Sequence, residues 1–227
     1  MTDTVFTEIA QRRTAILEQI AARCQSAAHE QAVTLVAVSK VQAEDRIEAG
    51  LASGQRVFGE NRVQEAETRW GPRRALYSDL ELHLIGPLQT NKAEAAVAFF
   101  DVIETLDRPK LARALAKASA NQNRHPEIFI QVNTGAEPQK GGVLIEDLQA
   151  LLEEARALDL NVTGLMCLPP VEQPAGPHFA LLAKLAARHG LAKLSMGMSA
   201  DYETAIDFGA THVRIGSGLF GARVTPA

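Results

Sequence analysis

Cysteine is scarce in this sequence: the 227 residues contain two, Cys24 and Cys167. They stand far apart and lack metal-ligand spacing, which argues against a disulfide framework and against a zinc site. None of the six histidines forms an HExxH or similar ligand pair, so no metal is expected. Long apolar runs are also missing. A membrane-spanning helix needs roughly 20 apolar residues in succession, and nothing here approaches that. The opening MTDTVFTEIAQRRTAILEQI carries acids early and lacks the unbroken apolar centre of a secretory signal. Basic blocks are absent as well. Lysine and arginine are dispersed and the formal net charge is −4, so neither nucleic acid nor a membrane is the expected partner. A reducing cytoplasm fits these absences best.

What is present is the composition of an ordinary globular protein, 46% hydrophobic and 22% charged. The length suits one domain and would cramp two. No linker, low-complexity segment or short repeat interrupts it. Ile9, Ile16, Leu17, Ile20 and Cys24 share one stripe at helical spacing and predict an opening helix. After it, short β-rich runs alternate with helical stretches such as KLARALAKASA from Lys110. The runs are VTLVAV at Val33, RVFGE at Arg56, ELHLIG at Glu81, FDVIET at Phe100, EIFIQVN at Glu127, NVTGLMCL at Asn161, AKLSMG at Ala192 and THVRIG at Thr211. Such alternation is the pattern of parallel βα units. Eight of them favour closure over an open doubly wound sheet. The expected fold is therefore α/β, a single (β/α)8 TIM-type barrel with an extra N-terminal helix, with residues 1–227 forming one domain. Asn61 with Gln64, and Asn91 with Glu94, have the spacing of helix capping boxes.

Barrel active sites gather at the C-terminal ends of the strands. The first run, VTLVAVSK, ends on Lys40, and closure would bring the turn GSGLFG, Gly216 to Gly221, beside it. Glycine backbone lets N–H groups approach a phosphate, and the hydroxyls of Ser217 and Ser199 add donors. An amine next to such a pocket suggests capture of a phosphorylated aldehyde or ketone as a Schiff base. GSGLFG also matches the dinucleotide fingerprint GxGxxG, but the chain stops at Ala227 without room for the following βαβ unit, which sets that reading aside. Blander roles stand beside each residue. Lys40 reads equally as a solvated lysine, Asn61 as an N-cap, and Ser199 as the start of the helix holding Asp201 and Glu203. Arg214 has the parity of Gly216 and points inward, where arginines often form half of a buried ion pair. His83 reads as a satisfied core histidine and Cys167 as an inert buried thiol.

VAVSK, GENRVQEA, HLIGPLQTNK, VNTGAEPQKGGV, GLMCLPP, LSMGMSADYETAI and VRIGSGLFGAR follow one another over nearly the whole chain. In that order they resemble the pyridoxal-phosphate homeostasis proteins. The resemblance implies a barrel of the alanine-racemase N-terminal-domain type that binds pyridoxal 5'-phosphate (PLP). By it, Lys40 corresponds to the lysine of the internal aldimine. Gly216 and Ser217, with Ser199, correspond to the phosphate site, Arg214 to the arginine facing the pyridine nitrogen, and Asn61 to a position near the cofactor. Three residues depart from the pattern: Val41 where threonine is frequent, Leu82 where tryptophan is common, and Ser217 where threonine is usual. Serine keeps the hydroxyl, whereas Val41 bears on how Lys40 is polarised.

An arginine cannot accept the proton that makes the PLP ring a strong electron sink. Two-base racemisation also needs a second acid/base, which in the resembling racemases comes from a further C-terminal domain and a partner subunit. The resemblance thus implies a monomer with no catalytic residues that holds and buffers PLP as a lysine aldimine. Its family role is intracellular vitamin B6 homeostasis, with PLP-requiring apoenzymes as candidate acceptors. The alternatives are a PLP-dependent amino-acid racemase using Tyr202, His83 or Cys167 as second base, and a cofactor-free Schiff-base aldolase acting on a sugar phosphate. Lys140 in EPQKGG reads as a solvated loop lysine, with a part in PLP transfer as its alternative.

Overall fold

Helix α1 (Asp3–Ser26) leads the chain in the computed structural model, which describes residues 3–27 and 32–222. Strand and helix then alternate: β1 (Thr34–Val38), α2 (Glu44–Ala52), β2 (Val57–Glu60), α3 (Val63–Arg74), β3 (Glu81–Leu84), α4 (Ala93–Phe99), β4 (Val102–Leu106), α5 (Pro109–Gln122) and β5 (Glu127–Val132). The series continues with α6 (Leu148–Ala157), β6 (Val162–Cys167), α7 (Ala175–Arg188), β7 (Lys193–Met198), α8 (Tyr202–Asp207), β8 (His212–Ile215) and α9 (Ser217–Phe220). The strands form a closed barrel in sequence order. Closure is made by β8 lying parallel to β1, with Thr34 beside His212 and Val36 beside Arg214. Every run expected to be a strand is one, with boundaries moved by a residue or two.

Side chains alternate across each strand, so a barrel sorts them into an outer and an inner set. Leu82, Leu84, Ile128, Ile130, Val213 and Ile215 join the main apolar cluster shared with the helices. The residues between them, among them His83, Phe129 and Arg214, have the opposite parity and face inward. Helix α5 shows how the outer layer is built. Pro109 occupies its first turn, where a missing N–H costs nothing, and Asn123 ends it in the left-handed conformation at φ 49°. Leu111, Ala112, Leu115 and Ala118 then fall on one buried face. Helix α1 buries Ile9, Ile16 and Ile20 of its expected stripe and packs against α2, α8 and α9.

Both expected capping boxes are absent. The residues preceding α3 and α4 are Arg62 and Lys92, and neither helix start has a side-chain cap. Asn61 is drawn into a cavity wall instead. Asn91 lies within a 3-10 turn, Thr90–Lys92, whose backbone bond from Lys92 N to Gln89 O (2.9 Å) shapes the helix entry in place of a cap. Among the described residues no helix is long and apolar enough to cross a membrane.

Candidate functional site

At the C-terminal end of the barrel a cavity of about 350 Å³ is lined by Lys40, Asn61, Ser199, Arg214, Gly216 and Ser217. These are the six residues that the sequence singles out, and they come from β1, β2, β7, β8 or the turns just beyond them. Val38, Ile85, Pro87, Leu168 and Met198 supply apolar walls. The volume and the mixture of apolar walls with a few convergent polar groups are those of a small-molecule site.

Lys40 sits in a turn. Strand β1 stops at Val38, and Ser39 to Gln42 close a β-turn through Gln42 N donating to Ser39 O at 3.1 Å. Val41 occupies the position after Lys40 with φ 60° and 64% exposure. A β-branched side chain in that left-handed region costs about 1–3 kcal/mol, and such strain tends to collect at functional sites.

Beside the end of β1, at the ends of β7 and β8, hydroxyls and glycines cluster. Gly218 N donates to Ser199 Oγ at 3.2 Å, and Ser217 Oγ lies 3.5 Å from the same oxygen. Ser199 is therefore not the residue that starts α8. That place belongs to Asp201, whose carboxylate accepts from Met198 N at 2.6 Å. Asn61 is packed so closely by Gly86 that a Cβ there would stand 2.3 Å from the Asn61 carbonyl oxygen, which makes glycine obligatory. Its Oδ1 is buried and has no hydrogen-bond partner among the described residues.

Arg214 is 4% exposed, with its guanidinium anchored from inside the barrel. Nη2 donates to Cys167 O at 2.8 Å and Nη1 to Ser195 Oγ at 2.6 Å. Ser195 Oγ in turn donates to Glu104 Oε2, while Glu104 Oε1 meets His83 Nδ1 at 2.6 Å and His83 Nε2 meets Glu81 Oε1 at 2.7 Å. Burial alone would lower the His83 pKa, but its bonds to Glu104 and Glu81 outweigh burial and raise it to about 9. His83 is consequently an imidazolium that donates from both nitrogens. Burial would likewise raise Glu104, yet the His83 bond and the charges of His83 and Arg214 bring it down to about 2. Two carboxylates thus balance two cations across the interior. His83 is satisfied, as its sequence context suggests, and Arg214 does take part in a buried ion pair, 3.8 Å from Glu104.

The three candidate second bases all lie outside the cavity lining. Tyr202 donates its hydroxyl to Gln19 of α1, His83 sits in the chain just described, and burial raises the Cys167 thiol to about 12. Lys140 is tied down at its loop, with Nζ 2.7 Å from Glu137 Oε2 and donating to Pro169 O at 3.0 Å.

Residues 14–224 match the family model for the N-terminal domain of alanine racemase. A pyridoxal phosphate homeostasis protein of Aquifex aeolicus is 39% identical, over 94% of this chain and 97% of its own. One from Pseudomonas aeruginosa is 41% identical over 84% of this chain and 85% of its own. The solved structure of PipY from Synechococcus elongatus with PLP bound superposes with a TM-score of 0.81 at 36% identity, covering 94% of this chain and all of that one. Alanine racemase from Bartonella henselae, 15% identical with a TM-score of 0.73, shares the fold. With relatives matched at this identity along almost their full lengths, the chain belongs to the pyridoxal phosphate homeostasis protein family, of the alanine-racemase N-terminal-domain type.

Proposed function

We propose that this protein binds PLP reversibly through Lys40, buffers it, and releases it to PLP-requiring acceptors as part of vitamin B6 homeostasis. The observation that carries this reading is the convergence of an amine, two serine hydroxyls and a guanidinium on one cavity of about 350 Å³. Bound there, PLP would supply an aldehyde for the amine and an electron-drawing ring. Lys40 Nζ would hold the aldehyde carbon. Ser199, Ser217 and the backbone at Gly216 would hold the phosphate, and Arg214 would face the pyridine nitrogen. The residues present suit that group. The buried Oδ1 of Asn61 stands ready for a donor, which the ring hydroxyl of PLP would bring.

The same residues support holding over turnover. Arg214 stays cationic, so it can donate to a ring nitrogen but cannot take that nitrogen's proton. The buried chain behind it fixes its place. Tyr202, His83 and Cys167 do not line the cavity, so none is placed to serve as the second base of a racemase. In this reading residues 1–227 act as one domain, as a monomer in the cytoplasm, with no catalytic residue.

The test is the visible spectrum of wild type and Lys40→Ala, each incubated with PLP and then desalted. Wild type is expected to keep a visible band that Lys40→Ala loses. A colourless wild type would sink the reading and favour the cofactor-free aldolase. Exchange of an amino acid's α-hydrogen with solvent deuterium by the loaded wild type would favour the racemase.

A further inference from the structure

The turn that carries Lys40 is gripped from the side away from the cavity. Arg69 of α3 donates through Nη1 to Ser39 O at 2.9 Å and through Nη2 to Gln42 O at 3.2 Å. Those carbonyls belong to the first and last residues of the turn, so one guanidinium brackets Lys40 and Val41. Behind it, Nη1 also donates to Glu60 Oε1 at 3.0 Å, and Nε reaches Glu44 Oε1 at 3.2 Å. Glu60 ends β2 and is fully buried. Its Oε1 accepts from Ser39 Oγ at 2.7 Å and from Trp70 Nε1 at 3.0 Å as well. Ser39, next to Lys40, has the opposite parity, and the grip acts on its carbonyl and hydroxyl and on the Gln42 carbonyl.

Two further observations give the grip a purpose. Val41 holds a left-handed conformation that persists only where the surroundings over-determine it, and Arg69 supplies bonds to both ends of that turn. Lys40 and Asn61 line, besides the site cavity, a groove of about 920 Å³ beside α2 and α3 that Val41 and Arg69 also border. Lys40 thus stands between two open spaces, and a relaxed turn would no longer fix how its side chain is shared between them. The planar fork of arginine spans two carbonyls and a carboxylate at once, which the single ammonium of lysine cannot do.

We propose that Arg69, backed by Glu60, is the positioning residue for Lys40, holding the turn in the form that keeps the amine within reach of the site cavity. The inference rests on the reading of Lys40 as the point of PLP attachment. Arg69→Met alone would leave Glu60 buried without its cation, so the informative variants are Arg69→Met/Glu60→Gln, which neutralises both partners, and Arg69→Lys, which keeps the charge and loses the fork. Each is compared with wild type and Lys40→Ala for PLP dissociation constant, for the share of PLP fixed on Lys40 against other lysines after borohydride reduction and peptide mass spectrometry, and for thermal midpoint.

Both variants are expected to fold, to bind PLP about tenfold more weakly, and to spread the label to other lysines. Unchanged affinity and unchanged selectivity for Lys40, whatever the thermal midpoint, would make Arg69 a structural brace and overturn the inference while leaving the PLP reading intact. Retention of PLP by Lys40→Ala to the wild-type extent would instead overturn the PLP reading, and this inference with it.

Discussion

The two faces of the same strands are built of different matter. Outward, between strands and helices, lies hydrocarbon: Phe58, Leu84, Leu115, Ile130, Leu165 and Phe179 belong to one continuous cluster. Inward, the barrel holds a small apolar group of Val102, Phe129 and Met166, and a chain of charge runs beside it from Glu81 through His83, Glu104 and Ser195 to Arg214. Hydrophobic burial is non-directional and tolerates many arrangements, whereas charges in low dielectric demand particular partners. The outer layer therefore closes the barrel, and the inner chain aims a guanidinium at its mouth. How strictly the interior assigns roles is visible in two histidines whose rings lie 5.7 Å apart. His83, between two carboxylates, is raised to about 9, and His212, buried beside that cation, is lowered to about 4.

If this division is right, the largest effect comes from cutting the inner chain. Glu104→Leu leaves His83 without its buried acceptor and Arg214 without its nearby counter-charge, and should cost roughly 3–5 kcal/mol in urea unfolding. It should also weaken PLP retention, because Ser195, which holds Arg214, loses the carboxylate that orients it. In the outer layer Leu115→Ala should cost about 2–5 kcal/mol by opening a cavity, yet leave PLP affinity per folded molecule unchanged. Equal loss of PLP affinity in the two variants would erase the distinction between the layers.

The next effect is on pH dependence. His83, raised from 6.5 to about 9, contributes its stability in full below pH 6.5 and loses it as pH rises through about 9. His212, lowered from 6.5 to about 4, contributes in full above pH 6.5 and loses its share as pH falls through about 4. Glu104, lowered from 4.5 to about 2, follows at still lower pH. The urea midpoint should therefore peak near pH 6.5, the unperturbed value of both histidines, and decline on either side. A His83→Gln protein should show a flatter alkaline limb, and an unaltered limb would mean that His83 is not the group responsible. The smallest effect belongs to the rim. Val41→Gly relieves a strained φ of 60° and should stabilise the fold by about 1 kcal/mol, read as a higher thermal midpoint.

Much of the architecture was legible because it is written in short periods. Apolar runs bounded by polar or glycine residues revealed the eight strands, and parity alone placed Arg214 inside. The residues at the strand ends, Lys40, Asn61, Ser199, Gly216 and Ser217, were legible for a related reason: in a barrel every strand ends at the same mouth, so local position predicts convergence. The capping boxes misled because their spacing is common, while the loop geometry around Asn61 and the 3-10 turn at Asn91 set the helix starts. Arg69, Glu104 and Ser195 carried no local signal at all.

By itself the sequence determined the number of strands, their alternation with helices, and which chemical groups stand at the mouth, since each depends on residues near one another in the chain. Only the tertiary structure decided who holds whom. Ser195 meets Glu104 across 91 positions, and Arg69 reaches Ser39 across 30. Such bonds exist only once closure has brought distant strands together and excluded the water that would otherwise satisfy these groups. Their strength and direction are properties of the closed barrel and leave no pattern in the sequence.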